Sequence, residues 1–121
     1  MLVKRLLHSF RDAGRGLRHV FRSEQNFRIQ LVVAALAALA AAYFPLRRSE
    51  TVVVILLIVL VLAMELLNTA VEYCVDLLKP RLHHYVLAIK DIMAAAVLLT
   101  SLGALLIGII IFYPHFISLV K

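Results

Sequence analysis

The run Val52–Asp76, VVVILLIVLVLAMELLNTAVEYCVD, decides the fold of this chain. Val52–Met64 carries no charge, and the residues that follow bring three acids and an amide: Glu65, Asn68, Glu72 and Asp76. Their spacings of 3, 4 and 4 are helical, and at about 100° per residue the four side chains fall within a sector of about 80°. One helix therefore has an apolar half followed by a half with a single polar stripe. Carboxylates at membrane depth are costly unless they face a cavity, a cation or a partner, so a stripe of this kind marks a functional site. Hydrogen bonding between helices is the plainer reading, but three acids and an amide exceed what holding helices together requires. Cys74 projects to the opposite side of the helix and reads as a packing residue; as the only cysteine it excludes an internal disulfide.

The rest of the chain extends the membrane reading. Of its 121 residues 64% are hydrophobic, and the mean hydropathy of +0.98 lies far above that of soluble domains. Ile29–Leu46 holds 18 residues with Gln30 as its one polar side chain, long enough for about 27 Å of helix. Pro45 and Arg47-Arg48-Ser49-Glu50 form a turn on the far side, and Pro80 terminates the second segment. After Lys90-Asp91 the chain stays uncharged for 22 residues, Ile92–Tyr113. The membrane helices are thus expected at 29–46, 51–78 and 86–113. Upstream, Leu2, Leu6, Phe10, Ala13, Leu17 and Val20 share one helical face among six basic residues, which predicts an amphipathic helix within residues 1–28, lying on the membrane surface. The expected fold is all-α: one membrane domain, 1–121, of three transmembrane helices plus an N-terminal amphipathic surface helix.

The net charge of +6 belongs to membrane flanks and predicts no nucleic-acid partner. Seven of the thirteen Lys and Arg residues precede Leu31 and three lie between Lys79 and Lys90, against Arg47, Arg48 and Lys121 on the other side. This asymmetry predicts a cytoplasmic N-terminus. The second helix then runs inward and places Glu72 and Asp76 near the cytoplasmic interface.

Gly14-Arg15-Gly16 lacks both the third glycine and the Lys-Ser/Thr pair of the phosphate-cradling loops. A nucleotide would have to be held by charged side chains and metal ions. Lys90-Asp91 opens the third membrane helix level with Glu72 and Asp76 if the helices are antiparallel neighbours, and Glu24 precedes the first membrane helix at the same level. His83 and His84 read as exposed loop residues. Acids with a nearby lysine on the cytoplasmic side suit Mg-ATP chemistry, in which metal ions bridge phosphate oxygens, a cation meets the developing charge and one residue orients the attacking hydroxyl. Glu65, the deepest acid, is where a lipid hydroxyl could arrive. A rival of another class is a small ion-coupled transporter subunit using Glu65 and Glu72 as carriers. Against it, no polar residue continues the path through Val52–Met64.

The stretch Glu65-Leu66-Leu67-Asn68-Thr69-Ala70-Val71-Glu72-Tyr73-Cys74-Val75-Asp76 resembles the signature E-x-x-N-[ST]-A-[IV]-E-x-x-[VI]-D of the prokaryotic diacylglycerol kinase family, which includes undecaprenol kinase. Glu24-Gln25-Asn26-Phe27-Arg28-Ile29 and Ala88-Ile89-Lys90-Asp91, the latter followed by Ala94–Leu98, resemble further segments of that family in the same order. The resemblance implies a homotrimer in the bacterial cytoplasmic membrane, with active sites shared between neighbours, transferring the γ-phosphate of Mg-ATP to a lipid alcohol. By position it implies Glu65 as catalytic base and Asn68 as a supporting polar contact. Glu24 and Glu72 fall at the metal and nucleotide carboxylates, and Asp76, His83, Lys90 and Asp91 at the nucleotide contacts. Asp12 and Arg5 on the surface helix match a looser pattern. Asn26–Ile29 and the absence of Trp are closer to the undecaprenol type, whereas Leu87 replaces a lysine common there. An undecaprenol-type polyprenol is the expected substrate, with diacylglycerol, giving phosphatidic acid, as the alternative.

Overall fold

The computed structural model describes residues 1–121 as four helices: α1 (Leu2–Ser23), α2 (Gln25–Tyr43), α3 (Arg48–Asp76) and α4 (His83–Val120). The protein is all-α, and α2, α3 and α4 are each long and apolar enough to cross a membrane. At about 1.5 Å per residue α3 is about 43 Å long, more than the ~30 Å hydrocarbon core, so its polar end extends into the interfacial region. Helix α3 packs against both α2 and α4, which flank it, and α1 rests on α2 and α3.

Local chemistry places each helix end. The surface helix stops at Glu24, whose extended backbone separates α1 from α2, four residues before the expected boundary at 28. The reason lies in Arg28: its Nη1 donates to Phe21 O (2.8 Å) and Arg22 O (3.0 Å), satisfying carbonyls that the end of α1 leaves without helical partners. Pro45 follows the extended Phe44 that closes α2. Helix α3 begins at Arg48 rather than 51, because Glu50 Oε1 accepts from the backbone N–H of Arg47 (3.0 Å) and folds the expected turn into a capped first turn. Its helical end at Asp76 leaves Leu77 and Leu78 in a turn. Helix α4 starts at His83, three residues before the expected 86, and continues past Tyr113 through Pro114 to Val120. A proline in a membrane helix is tolerated where neighbouring groups re-satisfy the freed carbonyl.

Only eight residues are buried within the chain, and most large apolar side chains on all four helices are exposed. In α1, Leu2, Leu6, Phe10 and Leu17 are exposed while Val20 packs inward. That pattern suits a helix whose apolar face meets lipid rather than protein. Cys74 is exposed within the chain, so the expected packing role is not seen there. At the opposite end, Phe44 contacts the rings of Phe112 and His115, and His115 Nε2 lies 3.6 Å from Glu50 Oε1. These contacts tie the α2–α3 turn to α4.

Candidate active site

The stripe on α3 grades from buried to exposed. Glu65 is 2% exposed although it carries a carboxylate, Asn68 and Glu72 are half-buried, and Asp76 is exposed. Helical periodicity puts all four on one face, and packing against α2 and α4 closes only the deeper end of that face. The Glu65 carboxylate receives one side-chain hydrogen bond, from Gln30 Nε2 on α2 at 3.4 Å. Beside it the Thr69 hydroxyl, also 2% exposed, donates to the Glu65 carbonyl (3.1 Å) and so adds no polar group to the site. Asn68 Nδ2 donates to Glu72 Oε1 across one helical turn (3.4 Å).

At the shallow end Lys90 Nζ lies 2.7 Å from Asp76 Oδ1, joining α4 to α3, and Lys79 approaches the same oxygen at 3.6 Å. Lys90 and Asp76 thereby stand at the shallow end of the stripe that Glu72, Asn68 and Glu65 continue inward. Four of the expected residues, Glu65, Asn68, Glu72 and Asp76, thus share the stripe and Lys90 joins it through Asp76, whereas Glu24, at the α1–α2 corner, makes no side-chain bond to them. His83 and Asp91 are exposed, and neither is hydrogen-bonded into this set; the ring of His83 packs edge-on against His84. Asp12 pairs with Arg15 and with His8 (3.5 Å) along α1, and Arg5 lines a small polar hollow with Lys4, His8 and Ser9. Neither of these α1 residues reaches the α3 stripe.

From Glu65 an open groove of about 990 Å³ runs along α3 between α2 and α4. Its walls are mostly apolar, with small residues such as Ala37 on α2 and Ala104 and Gly108 on α4, and its polar lining is Asn26, Gln30, Glu65, Asn68, Glu72 and Ser101. The geometry suits an amphiphile whose polar end reaches Glu65. No three acidic, histidine or cysteine side chains converge as a preformed metal cage. A cation here would take one or two carboxylates from Glu24 and Glu72 and complete its shell with phosphate oxygens and water, the usual manner for Mg²⁺.

Two participants escaped the sequence. Gln30 stands out there only as the one polar residue of the first membrane helix; its pairing with Glu65 depends on how α2 and α3 are rotated. The second is a contact between His19 Nε2 and the Tyr73 hydroxyl at 2.7 Å, which pins α1 to α3 next to Glu72. Their separation of 54 residues leaves no local signal.

Residues 11–112 match the sequence model of the family described as prokaryotic diacylglycerol kinase. A diacylglycerol kinase of Synechocystis sp. is 37% identical over 115 residues, which is 94% of this chain and 66% of that protein. An undecaprenol kinase of Bacillus subtilis is 35% identical over 112 residues, covering 93% of this chain and 91% of the relative. A diacylglycerol kinase of Escherichia coli K12 is 30% identical over 102 residues, 84% of each chain. The chain thus spans just under two thirds of the Synechocystis relative and most of the other two. With the signature stripe, α2, α3 and most of α4 inside the matched range, this chain belongs to the prokaryotic diacylglycerol kinase family.

Proposed function

We infer that this protein is an ATP-dependent membrane lipid kinase, and that its preferred acceptor is an undecaprenol-type polyprenol. The observation that carries the reading is the burial of Glu65 where an apolar groove meets the cluster holding Asp76 and Lys90. A lipid alcohol enters along the groove, and the nucleotide arrives from the cytoplasmic side. In the reaction the hydroxyl gives its proton to the Glu65 carboxylate as its oxygen bonds to the γ-phosphorus. The bond from that phosphorus to the bridging oxygen breaks, and ADP leaves with the electron pair. Lys90, held by Asp76, is placed to meet phosphate charge, and Asn68 fixes Glu72 through their hydrogen bond. His83 and Asp91, exposed at the start of α4, are assigned to the outer edge of the nucleotide site. Mg²⁺ held by Glu24 and Glu72 would neutralise phosphate charge that those carboxylates otherwise repel.

The charge asymmetry supports a cytoplasmic N-terminus in the bacterial inner membrane. Membership of the family supports a homotrimer, and the open groove leaves room for a neighbour to complete the site. The Asn26–Ile29 stretch and the near full-length match to the Bacillus subtilis undecaprenol kinase favour the polyprenol. The Synechocystis relative, a diacylglycerol kinase, is similar at 37% identity and keeps diacylglycerol as the second reading. Purified protein given radiolabelled Mg-ATP and either lipid in mixed micelles separates them. The expected result is a larger kcat/KM for undecaprenol; label transfer to neither lipid overturns the kinase assignment, and preference for diacylglycerol overturns the substrate.

A further inference from the structure

We propose that His19 and Tyr73 are positioning residues for the Mg-ATP site, whose contact sets the direction in which α1 leaves the α1–α2 corner and so fixes Glu24 relative to Glu72. The proposal rests on the reading in which those two carboxylates take Mg²⁺, and it assigns a role to a pair that lies in no sequence motif. His19 Nε2 lies 2.7 Å from the Tyr73 hydroxyl, and the two rings meet edge-on with centroids 5.5 Å apart. This is the one side-chain hydrogen bond between α1 and α3. His19 stands five residues before Glu24, about 7.5 Å along the helix axis. Tyr73 directly follows Glu72 in the chain.

A surface helix needs such a contact because lipid cannot supply it. The exposed apolar face of α1, with Leu2, Leu6, Phe10 and Leu17, sets the depth of the helix in the interface and its roll about its own axis. A bilayer is the same in every direction within its plane, so it leaves the heading of the helix free. At the corner Arg28 holds α1 only by its end, through the carbonyls of Phe21 and Arg22, and a rod held at one end pivots. Beside His19, Val20 is buried, and the His19–Tyr73 contact adds an anchor on a different helix. Anchors on two helices fix the heading. Glu72 is held within α3 by Asn68 Nδ2 at 3.4 Å, whereas Glu24 sits in extended backbone at the pivot with no side-chain bond of its own. A change in the heading of α1 therefore alters the spacing of the two carboxylates. Mg²⁺ demands near-ideal octahedral geometry at about 2.0–2.1 Å, so a small displacement of one ligand is felt.

The test measures metal binding apart from turnover. Mn²⁺ is the probe, titrated by electron paramagnetic resonance into full-length protein in mixed micelles with a non-hydrolysable ATP analogue present. Tyr73→Phe removes the hydroxyl and keeps the ring, His19→Leu removes both ring nitrogens, and His19→Gln returns a polar group near the place of Nε2. Losing one neutral hydrogen bond should weaken Mn²⁺ binding about 3- to 10-fold in Tyr73→Phe and in His19→Leu, with the lipid KM within about 2-fold of wild type. The double variant should bind no more weakly than His19→Leu alone, since both changes break the same contact, and His19→Gln should recover most of the affinity. Unchanged Mn²⁺ binding in the single variants, multiplied losses in the double variant, an equal rise in the lipid KM, or no recovery in His19→Gln overturns the proposal. Should His19→Leu not fold, Tyr73→Phe decides alone through Mn²⁺ binding and the lipid KM. A wild type that takes up no Mn²⁺ with the analogue and labels no lipid refutes the kinase reading and this proposal with it, a result distinct from wild-type binding that the variants leave unmoved.

Discussion

Replacing Glu65 by Gln exchanges one oxygen for an amino group in a side chain of the same length and should move activity and stability in opposite directions. The site loses its proton acceptor. General-base assistance contributes about 10²- to 10⁴-fold, so kcat should fall at least ~10²-fold, a barrier increase of about 2.7 kcal/mol. Stability follows from the surroundings of the carboxylate. Glu65 is 2% exposed, its side chain is met only by one amide at 3.4 Å, and the ion pairs of the chain lie elsewhere. An ionised carboxylate so placed is under-compensated, and the neutral amide relieves a cost on the order of 1–3 kcal/mol. The assay pairs label transfer at saturating Mg-ATP and lipid with thermal unfolding in the same detergent. The expected variant is nearly inactive and has a higher Tm. A kcat within about 3-fold of wild type removes Glu65 from the role of base. A lower Tm would show that the carboxylate is better satisfied than one weak hydrogen bond implies.

Lys90→Met should raise the KM for Mg-ATP about 10- to 100-fold, the range for losing one charge-assisted hydrogen bond, and leave the lipid KM nearly unchanged; varying each substrate separately reads both. Tyr73→Phe removes the 2.7 Å contact with His19 and should weaken the docking of α1 by about 0.5–1.5 kcal/mol, seen as faster amide exchange at the α1–α2 corner with α4 unaffected. Chelation of divalent cations should abolish label transfer and added Mg²⁺ should restore it, since the carboxylates near the phosphates offer no neutral alternative; turnover that persists in chelator excludes the two-carboxylate site.

What the sequence revealed and what it hid separate along physical lines. The stripe from Glu65 to Asp76 was legible because a helix converts spacings of 3, 4 and 4 into one face whatever packs beside it. The three membrane helices were legible because spanning a bilayer demands long apolar runs. Helix ends were less so. The stop at Glu24 depends on Arg28 reaching back to Phe21 and Arg22, and the start at Arg48 on Glu50 bonding to Arg47; each is a choice between a loop and a cap that composition does not make. Proximity between Lys90 and Asp76 could be anticipated from antiparallel neighbours joined by a short loop. The pairings of Gln30 with Glu65 and of His19 with Tyr73 could not, since they depend on the rotation of helices whose sequences carry no mark of it. Cys74 shows the same limit from the other side. A position opposite the stripe suggests a packing residue, whereas in a chain with eight buried residues Cys74 is exposed.

The gradient along α3 explains how so small a chain can join reactants from two solvents. A nucleotide is confined to water and a lipid alcohol to the bilayer, so their reacting atoms can meet only near the interface between them. From Asp76 to Glu65 the helix rises about 16 Å, at about 1.5 Å per residue, and over that distance the stripe passes from exposed to 2% exposed. The wet end carries the paired lysine and aspartate, and the dry end carries the buried Glu65 carboxylate. Charges interact most strongly where water is scarce, which is the setting of Glu65, while the Lys90–Asp76 pair lies toward solvent. A soluble kinase builds this gradient with a closing lid that expels water. Here the membrane itself supplies it, and a single helix needs only to hold its polar residues in the right order along its axis.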